Sequence, residues 1–172
     1  MNKGCERMSQ NVSLIKLCDH QIWADSLIRD TLHNLPEEEF TQEIGPPFGS
    51  VKNLCVHIVL ALEYNMKSLI EKVPVNGEEL YETIGSLSKD ELLATWEDMD
   101  KKLKENAKQV HQLICFPNFI SGGDVLMEPG DFFLQYILHT TYHRGQLVSM
   151  LKLLGKEGVT TDYLFYMFNL EE

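Results

Sequence analysis

Apolar residues recur along the chain at the three- and four-residue spacing of amphipathic helices. The first such stretch predicts a helix over about residues 9–34, which the Leu35-Pro36 step should end. A second helix is predicted over about residues 50–72, with Ser50 as its N-terminal cap. The first half of the chain therefore predicts two long helices.

Two further helices are predicted in the second half of the chain. The sequence Ser88-Lys-Asp-Glu91 matches a capping box, and the helical spacing of apolar residues continues from there through Leu113. Asp131 can cap a fourth helix, which Gly155 should close. The third of these helices has the clearest amphipathic pattern.

Three segments lie outside the predicted long helices. Residues 114–130 contain two prolines and a Gly-Gly pair between apolar residues, which predicts a loop with a small hairpin. Residues 162–168 are expected to add one short helix. Residues 73–87 are expected to be a loop that is long enough to cross the bundle.

These elements predict an all-α fold, an antiparallel four-helix bundle with a long loop or small hairpin before the last long helix. A chain of 172 residues fits a single domain, residues 1–172, in which residues 1–8 form a loose polar leader. The N-terminus lacks the apolar core of a signal peptide, and no later run approaches the ~20 apolar residues of a membrane span.

The charge balance limits the partners of this protein. The 26 acidic and 15 basic side chains give a formal net charge of -11, and the basic residues form no stripe. Nucleic acid and anionic membranes are therefore poor partners. The four cysteines are scattered and contain no C-x-x-C pair, which favours a reducing compartment. We therefore expect a cytoplasmic protein with neither nucleic-acid nor membrane partners.

Two histidines on the fourth helix, His139 and His143, are spaced so that both can contact one metal ion. Residues at i and i+4 lie ~40° apart around a helix and ~6 Å apart along it, and each neutral imidazole offers one nitrogen. A third ligand must come from another helix, and His57 on the inward stripe of the second helix is the leading candidate. The alternative is that these are core histidines with hydrogen-bonding partners. Both lie on an apolar stripe, where an unpaired ring would cost about 1 to 3 kcal/mol.

Neighbouring residues add weaker signals. Thr140 stands where the H-E-x-x-H motif of zinc proteases requires Glu, so that class is excluded. Gln146 follows His143 by three residues and could support its ring or act in helix packing. His20 could be a fourth ligand but is kept outside the metal set. Gly145, inside a helix, suggests close approach by another group.

One segment gives the chain a family resemblance. The sequence His139-Thr-Thr-Tyr-His143-Arg144-Gly145-Gln146-Leu147, with a lone helical histidine upstream, resembles the DinB/YfiT family. The H-x-x-x-H-R-G-Q string is its most specific part. The resemblance extends over nearly the whole chain and includes His20-Gln-Ile-Trp23-Ala24-Asp25, Leu35-Pro36, Ser50 to His57, and Asp162-Tyr163.

The resemblance implies a four-helix bundle, often a homodimer, that binds a divalent metal through three histidines. These map onto His57, His139 and His143. The metal could be Zn, Ni, Fe or Mn, and the residues do not choose among them. The family includes bacillithiol S-transferases, mycothiol-dependent isomerases and metal-dependent hydrolases, so the resemblance implies a small-molecule substrate, with a low-molecular-weight thiol as one class.

Three protein ligands leave a coordination position for water or substrate, which is the pattern of a catalytic site. The sequence therefore predicts a metalloenzyme that uses this position for thiol S-transfer or for metal-dependent hydrolysis. The alternative is a metal-binding protein without turnover that serves sensing, storage or assembly. The residues alone do not assign individual catalytic roles.

Overall fold

Four long helices and three short ones make up most of residues 13–118 and 120–170, the part of the chain that this computed structural model describes. The predicted leader, residues 1–8, lies outside it. In chain order the elements are α1 (Leu14–His33), α2 (Glu37–Thr41), α3 (Val51–Asn65), a π-helical turn (Met66–Ile70), α4 (Gly77–Gly85), α5 (Lys89–Gln109), β1 (Ile114–Pro117), β2 (Asp124–Met127), α6 (Pro129–Leu153) and α7 (Tyr163–Asn169).

Serine side chains cap the starts of α1, α3 and α5. Ser13, Ser50 and Ser88 each accept a hydrogen bond from the backbone N–H three residues further on, at 3.2, 3.2 and 3.4 Å. The backbone N–H of Ser88 in turn donates to the Glu91 carboxylate at 2.9 Å, which completes the capping box. The predicted caps of the second and third long helices are confirmed.

The start of α6 differs from its prediction. The helix begins at Pro129 after an extended Glu128, so the prediction that Asp131 caps it is wrong. Proline suits the first helical position because its fixed φ is already helical and its missing N–H would have no partner there. At the other end, Gly155 has a φ of 74°, the left-handed conformation that closes a helix, as predicted.

Residues 73–87, predicted above as a loop, contain α4. The Asn76 side chain accepts hydrogen bonds from two backbone N–H groups of the first turn, at 3.1 and 3.4 Å. Leu80 and Ile84 are buried, and α4 packs on α3. The loop prediction is wrong because a good cap and two apolar residues one turn apart suffice for a short helix when a neighbour supplies an apolar surface.

Two helices also end earlier than predicted, and residues 9–12 of the first predicted helix lie outside the described residues. The α-helical part of α3 ends at Asn65 and continues only as the π-helical turn, and α5 ends at Gln109 because Val110 has an extended backbone. The described part of the first predicted helix begins at Leu14. The small hairpin and the short helix near the C-terminus are confirmed, with β1 and β2 pairing antiparallel.

The core lies between the four long helices. α1 packs against α5 and α6, and α3 packs against the same two helices. The predicted all-helical class is confirmed, while the antiparallel four-helix arrangement and the single domain stay predictions. Among the helices that the structure describes, none has both the length and the apolar character needed to cross a bilayer. The largest fully buried hydrophobic side chains include Phe40, Trp96, Phe132 and Phe133.

Candidate metal centre

Three imidazole rings from two helices meet between α3 and α6. His57 lies on α3, and His139 and His143 lie one turn apart on α6. One ring nitrogen from each histidine lies within 4.8 Å of the other two. The Nε2 atoms of His57 and His143 are 3.1 Å apart, and the ring centroids of His139 and His143 are 4.4 Å apart. The structure therefore brings together all three histidines that the sequence singles out.

The local sequence explains why the rings meet. Ser50 fixes the start of α3, and His57 then lies two turns into the helix. Its neighbours Val56 and Ile58 are buried, so this part of α3 is packed into the core. On α6, Tyr136 and Leu147 are buried above and below the histidine pair. Burial of these flanking residues sets the faces of α3 and α6 on which the rings stand.

The site favours neutral imidazoles, the form that can bind a metal. Burial, and then the neighbouring rings of His143 and His57, lower the pKa of His139 from its ordinary value to about 4. The pKa of His57 is also lowered, first by burial and then by His143. Both rings are therefore uncharged at neutral pH and have a nitrogen lone pair to offer.

Two hydrogen-bonding observations show that the donor set fits a divalent metal ion. The Nε2 atom of His139 is buried and has no hydrogen-bond partner among the residues that the structure describes. The Nδ1 atom of His143 donates to the Gln146 side-chain oxygen at 2.6 Å, which leaves the Nε2 atom of His143 with its lone pair facing the cluster. A cation among these nitrogens would satisfy them, and imidazole nitrogen is a preferred ligand of Zn, Ni and Fe.

Two aromatic rings flank the cluster. The Phe48 ring lies against both His57 and His143, with centroid distances of 5.2 and 5.5 Å. Tyr142 is 65% exposed, and its ring lies 5.1 Å from that of His143. The two rings meet edge to face, although Tyr142 lies at the exposed surface of α6. Phe48 was missed, since a loop residue has no periodic signal.

A pocket of about 200 Å³ lies beside the cluster. The loop of residues 44–49 forms one wall and the last turns of α6 form the other. Phe48 and Gln146 line this pocket and also contact the histidine rings. The other lining residues on α6 are Ser149, Met150 and Leu153, and no charged side chain lines the pocket. An uncharged, mainly apolar surface therefore adjoins the cluster.

The remaining candidates lie apart from the cluster. His20 is hydrogen-bonded through Nε2 to the Thr161 carbonyl at 3.0 Å, and it is not part of any metal-ligand group among the described residues. Cys55 is buried, and burial raises the pKa of its thiol far above the ordinary value. Apart from its own helix, no atom of residues 13–118 and 120–170 lies within 4 Å of a Cβ built on Gly145, so the predicted close approach is not found within this part of the chain.

The fold and the site define a helical protein with a three-histidine cluster between two of its long helices. The chain belongs to the DinB family, which residues 8–172 match. This confirms the resemblance that the H-x-x-x-H-R-G-Q segment carries.

Individual relatives agree with this assignment. Protein DinB of Bacillus subtilis strain 168 is 26% identical over 160 residues, which cover 89% of this chain and 92% of that protein. A crystal structure described as a DinB family protein from Exiguobacterium sibiricum 255-15 has a TM-score of 0.61 at 16% identity, covering 88% of this chain and 98% of that one. A DinB-like protein from Bacillus cereus ATCC 10987 has a TM-score of 0.50 at 15% identity, covering 84% and 95%. At these identities the two structures support the fold alone.

Proposed function

We propose that this protein binds a divalent metal ion through the imidazole nitrogens of His57, His139 and His143. One observation carries the proposal: one ring nitrogen from each of the three histidines, on two helices, lies within 4.8 Å of the other two, and no group of the described residues hydrogen-bonds the buried Nε2 atom of His139. Family membership is compatible with this function. The ion is Zn, Ni, Fe or Mn, which the cell's supply decides more than ligand affinity does.

We further propose that the site is catalytic, for thiol S-transfer or for hydrolysis of a small molecule. Three protein ligands leave a position open, and the chemistry that a divalent ion supplies there is Lewis-acid activation of a thiol or of a water molecule. Gln146 holds the His143 ring in one tautomer and one orientation. Phe48 covers one side of the His57 and His143 rings and limits the access of water from that side.

The second candidate is a metal-binding protein without turnover, which would serve sensing, storage or assembly. The three-histidine cluster supports metal binding without turnover as well as it supports metal binding by an enzyme. The pocket of about 200 Å³ that is lined by Phe48 and Gln146 favours the enzyme, because it would offer a substrate a surface next to residues that contact the histidine rings. A closed storage site has no need of such a surface.

Partners and location complete the proposal. The net charge of -11 argues against nucleic acid as a partner. A small molecule, with a low-molecular-weight thiol as the first class to test, is the proposed substrate. The proposed assembly is a homodimer and the proposed location is the cytoplasm, both as the sequence analysis predicts.

Metal content is the first test. Protein purified without a metal-chelating column is offered Zn, Ni, Fe and Mn in turn, dialysed, and analysed by mass spectrometry for bound metal. We expect the wild-type chain to retain metal and His143→Ala to lose most of it. His111→Ala is the matched control, since His111 is exposed and outside the cluster, and it should retain the wild-type content. Equal metal in the two variants, or none in the wild type, would contradict the metal site.

Turnover then separates the two candidates. Metal-loaded and chelator-treated protein are assayed with a panel of small thiols and 1-chloro-2,4-dinitrobenzene, and with p-nitrophenyl acetate for hydrolysis. An enzyme should show turnover that depends on metal and disappears in His143→Ala. Stoichiometric metal binding without turnover on either panel favours the non-catalytic protein.

A further inference from the structure

A charged side chain is buried directly behind the histidine cluster. Arg144 follows His143 in the chain, yet it is only 1% exposed. Its Nη1 atom donates to Asp25 Oδ1 at 2.7 Å and to Gln21 Oε1 at 2.8 Å, and its Nη2 atom donates to Thr141 Oγ1 at 2.8 Å. Arg144 therefore joins α6 to α1 through a directional set of hydrogen bonds.

Asp25, the acidic partner of Arg144, is also buried and hydrogen-bonded on both of its oxygens. Asp25 on α1 is 0% exposed. Its second oxygen, Oδ2, accepts hydrogen bonds from Gln21 Nε2 at 2.6 Å and from the indole N–H of Trp96 at 3.1 Å. Trp96 belongs to α5, so one carboxylate ties together α1, α5 and α6. A carboxylate with this many fixed donors has little freedom to follow a guanidinium that moves.

Neighbouring residues on an α-helix point about 100° apart around its axis. On α6, His143 therefore faces the cluster with α3 while Arg144 faces α1. An apolar contact tolerates a small rotation of a helix, whereas a buried guanidinium bound to two acceptors on another helix, Asp25 and Gln21, does not. We propose that the Arg144–Asp25 ion pair fixes the rotation of α6 about its axis and so aims His139 and His143 at His57. Arg144 is a positioning residue for the metal centre.

The chain contains a matched ion pair that lacks this role. Arg29 Nη1 and Asp100 Oδ2 are 2.5 Å apart, both residues are buried, and they join α1 to α5. Neither residue lies on α3 or α6, the helices that carry the histidines. Asp100 is also a direct neighbour of Asp25, so loss of this pair removes a buried interaction beside Asp25 while the donors to Asp25 on Gln21, Trp96 and Arg144 stay in place. Replacement of Arg29 and Asp100 should therefore leave the rotation of α6 unchanged.

The test replaces each pair by apolar residues, because the loss of one partner alone would leave a buried charge. In the metal-free protein, we expect nuclear Overhauser effects between the ring protons of His57 and His143 in the wild type and in the Arg29→Met/Asp100→Leu control. These contacts should weaken or vanish in Asp25→Leu/Arg144→Met. Circular dichroism and cooperative unfolding check that each variant is folded.

A second readout is the affinity for Co²⁺, followed by its visible spectrum. This arm rests on the proposed metal function. We expect Asp25→Leu/Arg144→Met to bind Co²⁺ about 10- to 100-fold more weakly and with an altered spectrum, which is the size of effect that residues supporting metal ligands have. The control should match the wild type. If the wild type binds no Co²⁺, the metal function fails, while the ring contacts in the metal-free protein still decide the rotation of α6.

Arg144→Lys is the reserve variant if Asp25→Leu/Arg144→Met does not fold. Lysine keeps the charge but loses the planar fork of donors. Ring contacts and Co²⁺ binding that are disturbed in this folded variant support the proposal. Ring contacts that match the wild type in a folded Asp25→Leu/Arg144→Met or Arg144→Lys protein would overturn it and leave the ion pair a role in stability alone.

Discussion

Gln146 accepts a hydrogen bond from the Nδ1 atom of His143 at 2.6 Å, across three residues of α6. Since an amide oxygen only accepts, the proton of this imidazole lies on Nδ1, and the Nε2 lone pair is left for the cluster. The contact thus sets both the tautomer and the ring plane of one proposed ligand. It is the role that the sequence analysis assigned to Gln146 as one of two possibilities.

Gln146→Ala should weaken metal binding. Without the acceptor, the His143 ring can change tautomer and rotate, so we expect a 10- to 100-fold loss of Zn²⁺ affinity. Gln146→Glu keeps an acceptor at the same place and adds charge, and it should bind at least as tightly as the wild type. Competition with a chromophoric chelator measures both affinities. Equal affinities for Gln146→Ala and the wild type would show that Gln146 is a packing residue.

The stability of the metal-free protein should depend on pH through His20. Burial, and to a smaller extent the nearby charge of Arg144, lower the pKa of this histidine despite its hydrogen bond to the Thr161 carbonyl. Below pH 6.5 the unfolded chain therefore takes up a proton that the folded chain resists, so the free energy of unfolding falls as pH falls. Above pH 6.5 this contribution to stability is fully present.

His20→Gln isolates the effect, because glutamine can still donate to the Thr161 carbonyl but does not titrate. Urea unfolding at pH 7, 6 and 5 should show a smaller loss of stability on acidification in His20→Gln than in the wild type. The two proteins differ only at residue 20, so the contributions of the other titrating groups to the change in unfolding free energy with pH cancel in the comparison. Parallel slopes for the two proteins would contradict a lowered pKa at His20.

Sequence periodicity could predict the parts of the site that lie on one helix. The i, i+4 spacing of His139 and His143 fixes their common face whatever surrounds α6. His57 was a weaker inference, since a position on an inward stripe does not say which helix it faces. Phe48 and the Asp25–Arg144 pair were missed. A residue in a loop belongs to no periodic pattern in the sequence. Asp25 and Arg144 are 119 positions apart, and nothing in the sequence distinguishes two such buried charges from exposed ones.

Gly145→Ala should stabilise the protein by about 0.5 to 1 kcal/mol. Glycine inside a helix loses more backbone entropy on folding than alanine does, and outside α6 no atom of the described residues lies within 4 Å of the added Cβ. Urea unfolding of the metal-free protein measures the difference. A destabilised variant would show that another group, such as a second copy of the chain, contacts this face in solution.

Metal should stabilise the folded protein through the cluster alone. An ion that binds only the folded state adds about 2.7 kcal/mol at a free concentration one hundred times Kd. For a domain of this size that corresponds to a rise in Tm of about 5 to 10 °C. Removal of metal by a chelator should reverse the rise, and differential scanning calorimetry with and without Zn²⁺ measures it.

The variants assign this stabilisation to particular residues. His57→Ala and His139→Ala each remove one proposed ligand, from α3 and from α6, and both should lose the Zn²⁺-dependent rise in Tm. His111→Ala should keep it, since that histidine is outside the cluster. If His57→Ala retained the full rise while His139→Ala lost it, the ion would be held by α6 alone, and the proposed three-ligand centre would be wrong.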